Sequence, residues 1–181
     1  DSYLSLNQII EVQPTNFFTQ LLPLAHAKPA GWRNRWFQKH LNKAALHQKY
    51  LATLDFSDFK VFEAIVNHLP ANSIFHCANS ASIRYAQLFD YKQNLEHYAN
   101  RGTSGIDGST ATAIGHALQT HKTLTLVTGD VAFLYDSGAF WNDNLPPNLK
   151  VIIVNNSGGN IFRIIKGPAN IDHFERFQET H

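Results

Sequence analysis

The sequence contains no methionine and a single cysteine, Cys77. One thiol excludes an internal disulfide and fits a reducing compartment, so the cytoplasm is the expected location. Charge is sparse as well: Asp, Glu, Lys and Arg make up 16% of the residues and nearly cancel, leaving a formal net charge of +1. Without a broad field of either sign the chain lacks the footprint of a nucleic-acid or anionic-membrane binder, and any anionic ligand must be held locally. Trp32-Arg33-Asn34-Arg35-Trp36 mixes bases with aromatics, but its spacing fits a helix lying on a neighbouring domain. No stretch approaches the roughly 18 uninterrupted apolar residues of a membrane helix, so no membrane span is expected. The ten histidines are scattered singly, and His26, His40, His47, His68 and His76 show no pairing with Cys or carboxylates at metal-ligand spacing, which argues against zinc. The start at Asp1 and a final run, Phe174 to His181, that reads as an element in progress lead to the expectation of a piece of a longer protein.

What is present is apolar and rhythmic. The 181 residues, 44% hydrophobic, suffice for one substantial core. Ile9-Ile10-Glu11-Val12 reads as a strand, and Pro14-Thr15-Asn16 ahead of Phe17, Phe18, Leu21 and Leu22 as a turn and short helix. Residues 1–30 are expected to be the end of a preceding domain and a linker, with the boundary near Pro29. A long helix pattern then runs from Trp32 to Leu54. Ser57 is placed to cap a helix that carries Phe59, Phe62, Ile65, Val66 and Leu69 on one face. Strand patterns at Ser73–Ala78, Leu95–Tyr98, Thr123–Thr128 and Lys150–Val154 alternate with helix patterns at Ser80–Phe89, Ser109–Thr120 and Phe133–Trp141. Continuous apolar strands alternating with helices predict a doubly wound α/β layer over residues 31–181, its sheet mostly parallel and covered by helices on both faces.

Ligands of such sheets bind off the carboxyl ends of strands, and two of those ends are chemically unusual. Thr128-Gly129-Asp130 follows one apolar strand, and Asn155-Asn156-Ser157-Gly158-Gly159-Asn160 follows another. The segment between them is long enough for one crossover and a return strand, so both loops can lie side by side and hold one ion. An Asp carboxylate, an Asn amide oxygen and a backbone carbonyl are hard oxygen donors of the kind Mg²⁺ takes beside phosphate and water. The residues after Asp130 open a helix whose N–H groups favour a diphosphate.

Gly129-Asp130 followed by Asn155-Asn156 resembles the cofactor motif of thiamine-diphosphate enzymes. Asn79-Ser80 through Arg84, Asn100-Arg101-Gly102-Thr103-Ser104-Gly105-Ile106-Asp107-Gly108 and Asn155 through Phe162 resemble one branch, the 2-succinyl-5-enolpyruvyl-6-hydroxy-3-cyclohexene-1-carboxylate synthase family of menaquinone biosynthesis. The resemblance runs from about Ser57 to His181, and the first 30 residues are similar to the end of that family's middle domain. It implies thiamine diphosphate with Mg²⁺ (or Mn²⁺) as cofactors, the metal bound by Asp130, Asn156 and the carbonyl of Gly158. It also implies that the backbone at Ser104 and Ile106 grips the pyrimidine, with Ile106 as the wedge beneath a bent cofactor. Amides at Val131, Ala132, Asn160 and Ile161 would meet the diphosphate. Ser80, Arg84 and Arg101 would address substrate carboxylates, a task suited to the planar guanidinium fork, and Ile161 and Phe162 would line the pocket. The implied reaction is decarboxylation of 2-oxoglutarate and 1,4-addition of the succinyl unit to isochorismate, by a homodimer or homotetramer.

The family's activating glutamate comes from a separate N-terminal domain on a partner subunit, and no residue here matches its context, so the chain alone is expected to be inactive. Two positions depart from the superfamily pattern: Val131 stands where Gly is common and Ser157 where Asn is frequent. Neither removes a metal donor. Two other readings stay open at this point: another thiamine-diphosphate enzyme of the acetolactate synthase or pyruvate decarboxylase type, and a nucleotide-binding module in which Gly102, Gly105 and Gly108 cradle a phosphate. Cys77, next to an apolar strand, reads as a small buried filler rather than a nucleophile.

Overall fold

A computed structural model describes residues 5–26, 31–91, 94–159, 161–164, 167, 170 and 172–178. The chain divides into two compact units, Asp1–Ala52 and Thr53–His181. Pro29, where a boundary was expected, lies outside the described residues.

The first unit is helical. Pro14 opens α1 (Pro14–Leu21), a position where its missing N–H costs nothing, and a 3-10 turn follows at Leu22–Leu24. The long helix α2 (Gly31–Thr53) matches its sequence pattern, and the Trp32 and Trp36 rings, one turn apart, lie 5.8 Å apart. The strand expected at Ile9–Val12 is absent: these residues have no regular structure, and Ile9 and Ile10 are 72% and 58% exposed. A β-pattern forms a strand only against a partner ladder, and the described part of this unit contains no other strand.

In the second unit, Ser57 caps α3 (Asp58–His68), its hydroxyl accepting from the Lys60 N–H at 3.4 Å. Then come β1 (Ile74–Cys77), α4 (Ala81–Ala86), β2 (Glu96–Tyr98), α5 (Ser109–Leu118), β3 (Leu124–Gly129), α6 (Asp130–Tyr135), β4 (Leu149–Val154), α7 (Ile161–Ile164) and α8 (Phe174–Gln178). The four strands form one all-parallel sheet in the order β2-β1-β3-β4. Alternation along the strands sends side chains to two separate cores. Phe75, Cys77, Val127 and Val154 pack with Phe62 and Ile65 of α3, with Leu69 just after it and with Ala86 of α4. Ile74, Leu124 and Leu126 pack with Ala113 and Ala117 of α5. Helices therefore cover both faces, as the continuous apolar strands require, and the fold is the expected doubly wound α/β layer.

The helix expected at Phe133–Trp141 is split. α6 starts earlier, at Asp130, and ends at Tyr135; a 3-10 turn, Ser137–Phe140, follows. The break falls at Asp136, whose backbone leaves helical geometry (φ −115°, ψ 19°). Its carboxylate is used elsewhere, as described below.

Candidate functional site

The strand order fixes where a site can form. From β1 the chain steps one way to β2, and from β3 it steps the other way to β4, so the direction of winding reverses between β1 and β3. At such a reversal the loops leaving the carboxyl ends of the two central strands part company, and a crevice opens. A cavity of about 330 Å³ lies there. Asn79, Ser80, Ala81 and Ser82 line it from beyond β1, Gly129 to Ala132 from the end of β3, and Val154 and Asn156 from the end of β4. Asp58, Ile106, Gly159, Ile161 and Phe162 contribute as well.

The two oxygen donors meet in this cavity. Gly129 pairs with Val154 in the β3–β4 ladder, so Asp130 and Asn156 leave adjacent strand ends side by side. Asp130 is the first residue of α6, and its Oδ1 accepts the Val131 N–H at 2.8 Å. Asn156 donates Nδ2 to Asp58 Oδ2 at 2.5 Å, so the nitrogen of its amide is committed and the oxygen is the atom a hard cation would take. Ser157, Gly158 and Gly159 run consecutively in the left-handed region at φ 65°, 66° and 69°, a path that glycine takes without strain and that turns the chain sharply after Asn156. Gly158 is buried, while Gly159 lines the cavity; Asn160 lies outside the described residues. Among the described residues no three His, Cys, Asp or Glu side chains come together, so a cation here would rely on amide, carbonyl and ligand oxygens beside Asp130. That donor set fits Mg²⁺ carried by a diphosphate.

Ser80 follows β1 with φ 72° and ψ −131°, a backbone conformation that disfavours any Cβ, and it lines the cavity. Strain of this kind persists only where the surroundings impose it, and it concentrates at functional sites. The Arg84 guanidinium donates back to the Ser80 carbonyl at 2.7 Å, and Arg101 donates to Asn79 Oδ1 at 3.1 Å. Both arginines are thus tied to residues of the cavity wall without belonging to it. Ile106 lines the cavity, whereas Ser104 is exposed, at φ 60°, with its hydroxyl on the Arg101 carbonyl at 3.2 Å.

Sequence reasoning gave no role of their own to three residues that hold this arrangement together. Asn79, 1% exposed, donates Nδ2 to the carbonyls of Asn100 and Gly105 at 2.7 and 2.5 Å while accepting from Arg101, so one amide pins the glycine-rich loop to the end of β1. Asp58 orients Asn156. Asp136, 9% exposed, accepts the N–H groups of Thr110 and Ala111 at 2.6 and 2.8 Å. A buried amide one residue beyond an apolar strand was a readable signal for Asn79; the other two contacts join segments far apart in sequence and leave no local pattern. Cys77, at the end of β1, is buried and its thiol is pushed up to about 12 by burial, so it stays protonated and acts as core filler.

No protein-family profile matches the chain. It is 44% identical over 180 residues, 99% of its length, to the 2-succinyl-5-enolpyruvyl-6-hydroxy-3-cyclohexene-1-carboxylate synthase of Flavobacterium psychrophilum. It is 48% identical over 134 residues to the synthase of that name from Christiangramia forsetii, covering 74% of this chain and 23% of the relative. The chain belongs to this synthase family. The Desulfotalea psychrophila member is 39% identical over 181 residues, the whole of this chain and 32% of that synthase. The chain thus spans about a third of the length of the curated synthases it matches.

Proposed function

We propose that this chain supplies the thiamine-diphosphate and Mg²⁺ site of a cytoplasmic synthase of menaquinone biosynthesis, which decarboxylates 2-oxoglutarate and adds the succinyl unit to isochorismate. The observation that carries this reading is the meeting of Asp130 and Asn156 in one cavity at the winding reversal of a parallel sheet. The names of the relatives support it: their product bears a succinyl group, which is 2-oxoglutarate less CO₂, on an enolpyruvyl-hydroxycyclohexene carboxylate, the skeleton left when the isochorismate diene accepts a 1,4-addition.

In this reading Asp130, the Asn156 amide oxygen and the Gly158 carbonyl hold the metal. Amides at Val131, Ala132, Asn160 and Ile161 would receive the diphosphate. Ser104 and Ile106 would hold the pyrimidine by their backbone, and the Ile106 side chain, which lines the cavity, would support the cofactor. Ser80, Arg84 and Arg101 would address substrate carboxylates, the hydroxyl by hydrogen bonding and the two guanidinium groups by charge, and Ile161 with Phe162 would give the pocket its apolar wall. The bound cofactor supplies the electron sink that lets a 2-oxo acid lose CO₂. The chain's own contribution is placement and charge compensation in a site sheltered from water. A glutamate from another domain of a partner subunit completes the site, in a homodimer or homotetramer, so the chain alone does not turn over. Among the described residues no helix is long and apolar enough to cross a membrane.

The test uses the whole protein with thiamine diphosphate, Mg²⁺, 2-oxoglutarate and isochorismate, following CO₂ and identifying the product by mass. A succinyl adduct of the isochorismate ring supports the proposal. Pyruvate consumed in place of 2-oxoglutarate would keep the cofactor and discard the substrates, and no 2-oxo acid consumed would refute both.

A further inference from the structure

α5 begins without a cap of its own. Its N-cap residue, Gly108, has no side chain and sits at φ 81°, and the buried hydroxyls of Ser109 and Thr110 have no hydrogen-bond partner among the described residues. The acceptor comes instead from Asp136, 26 positions after Thr110: one carboxylate oxygen takes the N–H groups of both Thr110 and Ala111, at 2.6 and 2.8 Å. Thr110 is fully buried and Asp136 nearly so, so this is an internal clamp rather than a surface contact. A charged acceptor on two otherwise unsatisfied helix-end donors is among the stronger hydrogen-bond arrangements available to a chain.

The clamp joins the two halves of the cavity. Asp136 is the C-cap residue of α6, the helix that opens with Asp130, so its position and that of the candidate metal donor belong to one short rigid element. At its other end the clamp holds the first turn of α5, which continues directly from the loop carrying Ser104 and Ile106. Asn100 ties the start of that loop to the same turn, donating to Thr112 Oγ1 at 2.9 Å. The loop therefore has two anchors, Asn79 at the end of β1 and Asp136 through α5. A carboxylate at the C-terminal end of α6 gains nothing from that helix's own dipole, so its value lies in what it holds on α5.

We propose that Asp136 is a positioning residue, which sets the distance between the glycine-rich loop and the β3–α6 edge and thereby the fit of a ligand spanning the two. The proposal rests on the thiamine-diphosphate reading for the ligand's identity, but its structural half can be tested without any ligand. In the whole protein, Asp136→Ala and Asp136→Asn are compared with wild type by peptide-level amide hydrogen exchange in the absence of cofactor, and by titration of thiamine diphosphate in saturating Mg²⁺. The expected result is exchange at least ten-fold faster confined to residues 100–112 in the alanine variant, with β1, β3 and β4 unchanged. Affinity for thiamine diphosphate falls at least ten-fold, and Asp136→Asn, which keeps an oxygen acceptor, recovers most of both effects. Wild-type exchange in both variants overturns the proposal. So does exchange that rises equally across the sheet, because Asp136 would then only hold the fold together. Should the alanine variant fail to fold, the asparagine variant decides by the same criteria, the expected loosening of residues 100–112 being smaller but confined to them. Absence of thiamine-diphosphate binding in the wild type would refute the functional reading, and the exchange pattern would still decide the clamp.

Discussion

Asn156 donates its amide nitrogen to the Asp58 carboxylate at 2.5 Å across 98 positions of sequence, so the first turn of α3 decides which way the amide at the end of β4 faces. Groups that orient a metal ligand typically change metal affinity by about 10–100-fold when removed. In the whole protein, Asp58→Ala is expected to raise the Mg²⁺ concentration for half-maximal thiamine-diphosphate binding by roughly ten-fold. Asp58→Asn, which keeps an acceptor oxygen, should fall between that variant and wild type. Metal titrations followed by cofactor binding check both, and an unchanged Mg²⁺ requirement in Asp58→Ala would remove Asp58 from the site.

Asn79 satisfies three groups with one buried amide. Asn79→Ala leaves the carbonyls of Asn100 and Gly105 without that donor, and a lost buried partner costs about 1–3 kcal/mol. Asn79→Asp should be worse, since it turns a carboxylate oxygen toward those same carbonyls. Denaturant midpoints give the order wild type, then Ala, then Asp; an Asp variant as stable as wild type would contradict it.

His76 gives the pH response. It is 4% exposed and shares a hydrogen bond with His116, Nε2 to Nδ1 at 2.9 Å, while its ring stacks on Tyr98 with centroids 5.2 Å apart. Burial first, and then the neighbouring His116, lower its pKa to about 4. The folded state therefore binds this proton less readily than the unfolded chain. The associated stability is fully present above the ordinary histidine pKa and is lost as pH falls from about 6.5 through about 4, amounting to as much as about 2 kcal/mol by pH 5. Melting curves at pH 7 and pH 5 should show a drop that His76→Gln reduces, and equal drops in the two proteins would assign the acid sensitivity elsewhere.

The sheet was legible in the sequence because its strands are buried on both faces: Leu124 to Val127 is apolar or β-branched without a break, a pattern that only a covered parallel strand requires. The polar turns at Asp130 and Asn156 stood out against those strands for the same reason. Ile9–Val12 misled because a strand's pattern does not reveal whether a partner strand exists, and the helix expected over Phe133–Trp141 ran through Asp136-Ser137-Gly138, residues that favour a turn over a helix interior. Asp58 was readable only as an acid in a helix's first turn, where the dipole alone accounts for it. Local patterns thus revealed which strand ends meet at the cavity, but the side chains that orient them act across long sequence separations.

The most direct measurement is calorimetric titration of thiamine diphosphate into the whole protein, with Mg²⁺ and with chelator, for wild type and Asp130→Ala. Saturable binding that requires the metal, weakened at least 100-fold by Asp130→Ala in a variant that keeps the wild-type circular dichroism, is the result expected if Asp130 and Asn156 hold a metal–diphosphate. Binding of equal strength with chelator present, or in the Asp130→Ala protein, would contradict it.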